Sequence, residues 1–155
     1  MALVFLGLGT NLGDKERNLT DAILALSLKA GNVLRQSAFY ASKSWGFTSD
    51  NDFMNAVVLL ETNLSPFDLL TKTQELETQL GRTVHKTGVY VDRLIDIDIL
   101  LYDTVILNQP ALKIPHPLLA ERDFVMIPLC ELAPGLVHPV LGKTIKELKD
   151  ILLTR

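Results

Sequence analysis

The chain has 155 residues, 48% hydrophobic and 21% charged, with a formal net charge of -3 and a single cysteine. These are the proportions of one ordinary globular domain with a sizeable core. The acidic balance argues against broad binding to nucleic acid or membrane through a basic surface. The lone Cys130 excludes a disulfide framework, and its apolar setting in "MIPLCELAP" predicts a buried core thiol in a reducing, cytoplasmic protein.

The first residues, "MALVFLGLGTNLGDK", have no basic leader and no small-residue cleavage site, so they are not read as a signal peptide. No apolar run approaches transmembrane length. "LVFLGLG" (Leu3 to Gly9) predicts a buried strand. "GLGTNLG" lacks the last glycine of a dinucleotide loop, because Leu12 stands there, and no Lys-Ser/Thr pair follows for a P-loop. It reads as a Gly-rich strand-to-helix turn. "KERNLTDAILALSLKAG" repeats Leu19, Ile23 and Leu26 at helical spacing and stops at Gly31.

"VLRQSAFYAS" predicts a second strand and "FMNAVVLLET" a third, with Phe53 and Asn55 on one face. "SPFDLLTKTQELETQLG" opens with a Ser cap and a first-turn Pro, and ends at Gly81. On it Gln74 and Glu77 share a face. "LIDIDILLY" is the fourth strand. The order β-α-β-β-α-β predicts a ferredoxin-like α+β sandwich over residues 1–155, with the two helices on one sheet face and the other face free for a site. Beyond Asp103 the sequence predicts a short extra strand, a loop, and extra helices around Phe124 to Leu132 and Ile145 to Leu153.

Asp is depleted in strands, and a buried carboxylate without a partner is costly. Yet Asp96 and Asp98 stand in the fourth strand, two apart and so on one face, with Ile95, Ile97 and Ile99 on the other. Such a pair either decorates the wet side of a sheet or holds hard cations. Arg82, Lys86 and Arg93 upstream, with His116 and Arg122 downstream, favour metal-bridged phosphates. "IPHPLLAERDF" fixes His116 between two prolines in a loop shared with Arg122 and Phe124. His85 and His138 have no partner spacing for zinc. The connections 41–52, "ASKSWGFTSDND", and 82–92, "RTVHKTGVYVD", are long for a compact domain and point to function. The second contains Gly88 and few apolar anchors, and is expected to close as a lid over the phosphates.

"GLGTNLGD", "FMNAVVLLET", "LLTKTQELETQLGR", "DRLIDIDILLY", "IPHPLLAERDFVMIPL" and "ELAPGLVHP" together resemble the 6-hydroxymethyl-7,8-dihydropterin pyrophosphokinase family of folate biosynthesis, in the family's order and over nearly the whole chain. The resemblance implies transfer of the β,γ-diphosphate of ATP to the pterin hydroxymethyl oxygen. It implies two Mg²⁺ ions on Asp96 and Asp98, with Arg82 and Arg93 as further catalytic residues. Ser42, Trp45, Phe53, Asn55 and Phe124 would bind the pterin. Gln74, Glu77, Arg82, Tyr90, Arg93, Ile99, His116 and Arg122 would line the ATP site.

The chain departs from the usual pattern at "SKSW" before Gly46, at Val84 and His85, at Tyr90, and at Ala111 and Lys113. The partners expected are ATP and the reduced pterin alone, for a monomer that binds neither nucleic acid nor membrane. Two other classes share the fold or the metals: RNA-binding or small-molecule regulatory modules, and two-metal phosphohydrolases. The third strand lacks the aromatic signature of an RNA-recognition sheet. A phosphohydrolase would need an activated water.

Overall fold

A computed structural model describes residues 1–43, 52–81 and 94–155. β1 (Ala2–Thr10) is a central strand. It pairs antiparallel with β4 (Phe53–Thr62) on one side and with β5 (Asp96–Tyr102) on the other. β2 (Asn32–Gln36) lies outside β4, giving the order β2-β4-β1-β5, with β5 at an edge. α1 (Lys15–Lys29) and α2 (Pro66–Gly81) complete the predicted ferredoxin-like β-α-β-β-α-β arrangement.

Alternation along the strands divides the core. Val4, Leu6 and Leu8 of β1, Ala56, Val58 and Leu60 of β4, and Ile97 and Ile99 of β5 pack with Leu19, Leu26, Leu69 and Leu76 of the two helices. Local signals set the helix ends. Asp14 accepts from the Arg17 N–H at the start of α1, and Ser65 accepts from the Asp68 N–H at the start of α2. Gly31, just past α1, is required by a close approach: a Cβ there would lie 2.2 Å from the Glu61 carbonyl oxygen.

The structure corrects the predicted second strand, which is broken into β2 and β3 (Tyr40–Ser42). The buried Ser37 causes the break. Its Oγ accepts from the Val57 N–H at 2.9 Å, standing in for a backbone carbonyl of the ladder. β3 then rejoins β4, with Tyr40 opposite Asn55 and Ser42 opposite Phe53. The single extra strand expected after Asp103 is a two-stranded ribbon, β6 (Leu107–Asn108) with β7 (Lys113–Ile114).

The second sheet face is not free along its length. α3 (Asp123–Leu132) and α4 (Ile145–Leu153), both at their predicted positions, close one end of it. Val125, Met126, Leu129, Ile145 and Leu148 pack there on Phe5, Val57, Leu100 and Leu101. Cys130 is buried in that cluster as expected. At β5 the register slips, so that Leu100 and Leu101 both face these helices. Among the described residues, the other end of this face is the part left uncovered for a site. No helix among the described residues is long and apolar enough to cross a membrane.

Candidate active site

On the open end of the second face, three strands put three residues in one row. Gly9 of β1 stands opposite both Asn55 of β4 and Asp96 of β5. Two residues along, Gly7 stands between Val57 and Asp98. Opposed residues of an antiparallel sheet share a face, so Asn55, Gly9 and Asp96 line one surface. Asn55 and Asp96 are roughly 10 Å apart, two strand spacings. Between them β1 offers only backbone. A Cβ on Gly9 would lie 3.1 Å from Asn55 Oδ1, a tight contact, and 3.6 Å from Phe53 Cδ1, an ordinary one, so a side chain there would press on Asn55 and fill the floor beside Phe53.

The β5 side of this floor concentrates charge. Arg122 Nη1 stands 3.9 Å from Asp98 Oδ2, and its guanidinium lies 5.5 Å from the Phe124 ring centre. Glu77 reaches in from α2, where Oε2 accepts from the Ile97 N–H at 2.8 Å. That N–H points away from β1, because the bonds to β1 belong to the neighbouring residues. Burial pushes the Glu77 carboxyl up to about 8. The Ile97 N–H opposes this rise, while the charge and hydrogen bond of Asp96, then the charge of Asp98, add to it.

His116 is held by its loop, with its N–H donating to the Leu100 carbonyl at 2.9 Å. Its Nδ1 accepts from the Leu118 N–H at 3.1 Å, which leaves the proton of the neutral ring on Nε2. Burial pushes this imidazole down to about 4, and the Arg122 charge adds to the fall against an opposing Asp96. The bond from Ile114 to Pro115, just before it, is cis.

On the β4 side Asn55 is buried, and its orientation is set by its partners. Nδ2 donates to Ser42 Oγ at 2.7 Å and to the Tyr40 carbonyl at 3.4 Å. Both amide hydrogens are directed to β3, so Oδ1 is the atom turned toward Gly9 and the open floor.

The structure therefore brings together Ser42, Phe53, Asn55, Glu77, Asp96, Asp98, His116, Arg122 and Phe124. Gln74 is exposed on α2, one turn before Glu77. Ile99 has its side chain in the helix-side core, so only its backbone, at the edge of β5, is available to a ligand. Trp45, Arg82, Tyr90 and Arg93, with the segment 82–93 expected as a lid, lie outside the described residues. Gly7 and Gly9 were missed as floor residues. Their spacing of two in a strand, which puts both on one face, was the available signal.

Among the described residues no group of three or more His, Cys, Asp or Glu is arranged to hold a metal unaided. Two carboxylates fit Mg²⁺, which is usually held by one or two of them together with substrate phosphates. The Glu77 carboxyl is raised chiefly by burial, and the charges of Asp96 and Asp98 add to that rise, a contribution that a cation on the pair would relieve.

A ferredoxin-like sheet with a carboxylate pair on β5 and an oriented amide across a side-chain-free floor suits an enzyme class, the transferases of phosphorus-containing groups. The profile of the 7,8-dihydro-6-hydroxymethylpterin-pyrophosphokinase (HPPK) family matches residues 5–134, and the chain belongs to that family. A 2-amino-4-hydroxy-6-hydroxymethyldihydropteridine pyrophosphokinase of Porphyromonas gingivalis is 48% identical over 141 residues, covering 90% of this chain and 95% of that protein. One of the same name from Aquifex aeolicus is 41% identical over 150 residues, covering 96% and 91%. Plasmodium falciparum HPPK-DHPS, crystallised with pteroate, superposes with a TM-score of 0.80 at 15% identity. That match covers 99% of this chain and 45% of the longer one, and at such identity it shows the fold alone. Family membership makes the chain a pyrophosphokinase rather than a regulatory module or a phosphohydrolase.

Proposed function

We infer that this chain transfers the β,γ-diphosphate of ATP to the hydroxymethyl oxygen of 6-hydroxymethyl-7,8-dihydropterin, as a cytoplasmic monomer. Asp96 and Asp98 would hold two Mg²⁺ ions. The observation that carries the reading is the row Asn55–Gly9–Asp96. A flat heterocycle standing edge-on over the glycine floor has the Asn55 Oδ1 acceptor at one end and the carboxylate pair at the other. Phe53 and Phe124 would pack on its faces, and Oδ1 would accept from an N–H of the ring edge.

The Arg122 guanidinium beside Asp98, the neutral His116, Gln74, Glu77 and the backbone of Ile99 would bind ATP, joined by Arg82, Tyr90 and Arg93. Bound Mg²⁺ would neutralise charge on the β- and γ-phosphates. The pterin oxygen forms a bond to the β-phosphorus, and the bond from that phosphorus to the oxygen bridging the α-phosphate breaks. AMP leaves with that oxygen and its electron pair, and the hydroxyl proton is released. Holding both substrates across a fixed floor converts the meeting of oxygen and phosphorus into an intramolecular event.

The test is a product assay with ATP, Mg²⁺ and the reduced hydroxymethylpterin. One AMP should form for each pterin diphosphate. Formation of ADP, or of free phosphate without pterin modification, would overturn the reading.

A further inference from the structure

The chain between β2 and β3 leaves the sheet at Ser37 and returns at Tyr40, and one side chain of α3 holds that excursion. The Glu131 carboxylate accepts from the Ala38 N–H at 3.1 and 3.2 Å through its two oxygens. Its Oε1 also accepts from the Tyr40 hydroxyl at 2.5 Å. The next residue of α3 joins in, since the Leu132 carbonyl accepts from Arg35 Nη1 at 2.7 Å. Glu131 is itself exposed, so these contacts do not follow from burial in the core. They satisfy an N–H that left the sheet ladder, and they fix where β3 begins. The hydrogen bond to Glu131 also raises the Tyr40 pKa, which keeps the phenol a donor.

What β3 does next is the point. The carbonyl of Tyr40 and the hydroxyl of Ser42 are the two acceptors that orient Asn55 Nδ2. Meanwhile α3 carries Phe124 two turns before Glu131 and begins directly after Arg122. One carboxylate thus ties the element bearing the aromatic wall to the strand that aims the amide.

We propose that Glu131 is a positioning residue for the pterin end of the site, acting through Tyr40 and β3 on the direction of the Asn55 amide. The proposal rests on the pterin pyrophosphokinase reading for its consequence, but not for the geometry it asserts. Without Glu131 the Ala38–Tyr40 excursion loses its anchor, and the Tyr40 carbonyl and Ser42 hydroxyl no longer hold Asn55 in one orientation. The heterocycle then meets a mobile amide and is bound more weakly. The triphosphate, held from β5, α2 and the His116 loop, is unaffected.

The experiment has two arms. In the first, the Asn55 side-chain amide resonances, assigned by their loss in Asn55→Ala, are followed in the ligand-free protein. They should shift in Glu131→Ala and in Tyr40→Phe, and return toward the original positions in Glu131→Gln, whose carbonyl can still accept. In the second, binding of reduced hydroxymethylpterin is measured with Mg²⁺ and α,β-methylene-ATP. Glu131→Ala should weaken it about tenfold, the value of roughly one hydrogen bond, with nucleotide affinity changed less than about twofold. In an Asn55→Ala background the further loss from Glu131→Ala should nearly vanish, because both act on one contact.

Unmoved Asn55 resonances, additive losses, or an equal loss of nucleotide affinity would each overturn the proposal. If the unaltered protein binds no pterin, the functional reading fails, and the resonance arm alone decides whether Glu131 positions Asn55.

Discussion

Glu77 Oε2 accepts from the N–H of Ile97, the residue that separates Asp96 from Asp98. A side chain of α2 thereby satisfies the outer edge of β5 at the point where both aspartates turn to the site. Glu77→Ala strands that N–H and should cost about 1–3 kcal/mol of unfolding free energy, the penalty of an unsatisfied buried group. Glu77→Gln keeps an acceptor for Ile97 and mimics the protonated acid without having to take up a proton on folding, so at pH 7 the metal-free variant should be at least as stable as the unaltered protein. Urea unfolding of the two variants measures the difference. Equal losses would mean that the Ile97 contact contributes little.

Asp96→Asn and Asp98→Asn should each lower turnover on the order of 10²-fold or more, as removal of a major electrostatic contact does. Their stability in chelator should hold or rise, because the Asp96 and Asp98 carboxylates repel each other without cations. AMP formation and thermal melting are the two measurements. Near-normal turnover in both variants would remove the metals from Asp96 and Asp98.

Asn55→Ala and Gly9→Ala should act on the same substrate by different routes. The first deletes the Oδ1 acceptor, and the second presses a methyl group on it, 3.1 Å away before any relaxation. Each should weaken pterin binding about tenfold and leave nucleotide binding nearly unchanged. Phe124→Ala should do likewise through lost stacking. Calorimetric titration with each substrate separates the two effects, and equal losses for both would place these residues in the wrong half of the site.

Much of this frame was legible because its signals are local. β4 and α2 match their predicted spans, since an uninterrupted apolar strand and a Ser-Pro helix start depend on neighbours in sequence. Asp96 and Asp98 were visible as acids where a strand disfavours them. What escaped the sequence depends on contacts between distant segments. The break at Ser37 comes from a hydroxyl replacing a backbone partner of Val57. The docking of α3 and α4 on the second face has no signal in their own periodicity, which marks an apolar surface but not what it meets. Glu77 showed only as one of a pair on a helix flank; its contact with Ile97 crosses from α2 to β5. Gly7 and Gly9 were compared with loop templates, and their place inside a strand hid the floor they form.

The metal-free protein should be most stable near pH 6.5, for reasons of opposite sign on the two sides. His138 accepts at Nδ1 from the N–H groups of Val140 and Leu141, and burial lowers its pKa. His116 is pushed down to about 4, again chiefly by burial. For both, the unfolded chain binds the proton first, at about 6.5. Their contribution is therefore complete above that value and is lost as the pH falls toward the folded values. Glu77 runs the other way. Its folded value of about 8 exceeds the ordinary 4.5, so the folded state holds the extra proton between them and stability declines as pH rises through that range. Between about 4.5 and 6.5 His116 and Glu77 act with opposite sign and nearly offset each other, so the lowered His138 is what makes stability climb with pH there. From 6.5 to 8 only Glu77 of the three still acts, and stability falls. Urea midpoints measured in chelator across pH 4.5–8.5 should trace this peak. Glu77→Gln should flatten its alkaline side, and His138→Asn, which retains an acceptor but does not titrate, should reduce the acid slope. A Glu77→Gln profile that still declines from pH 6.5 to 8 would show that another group controls the alkaline limb.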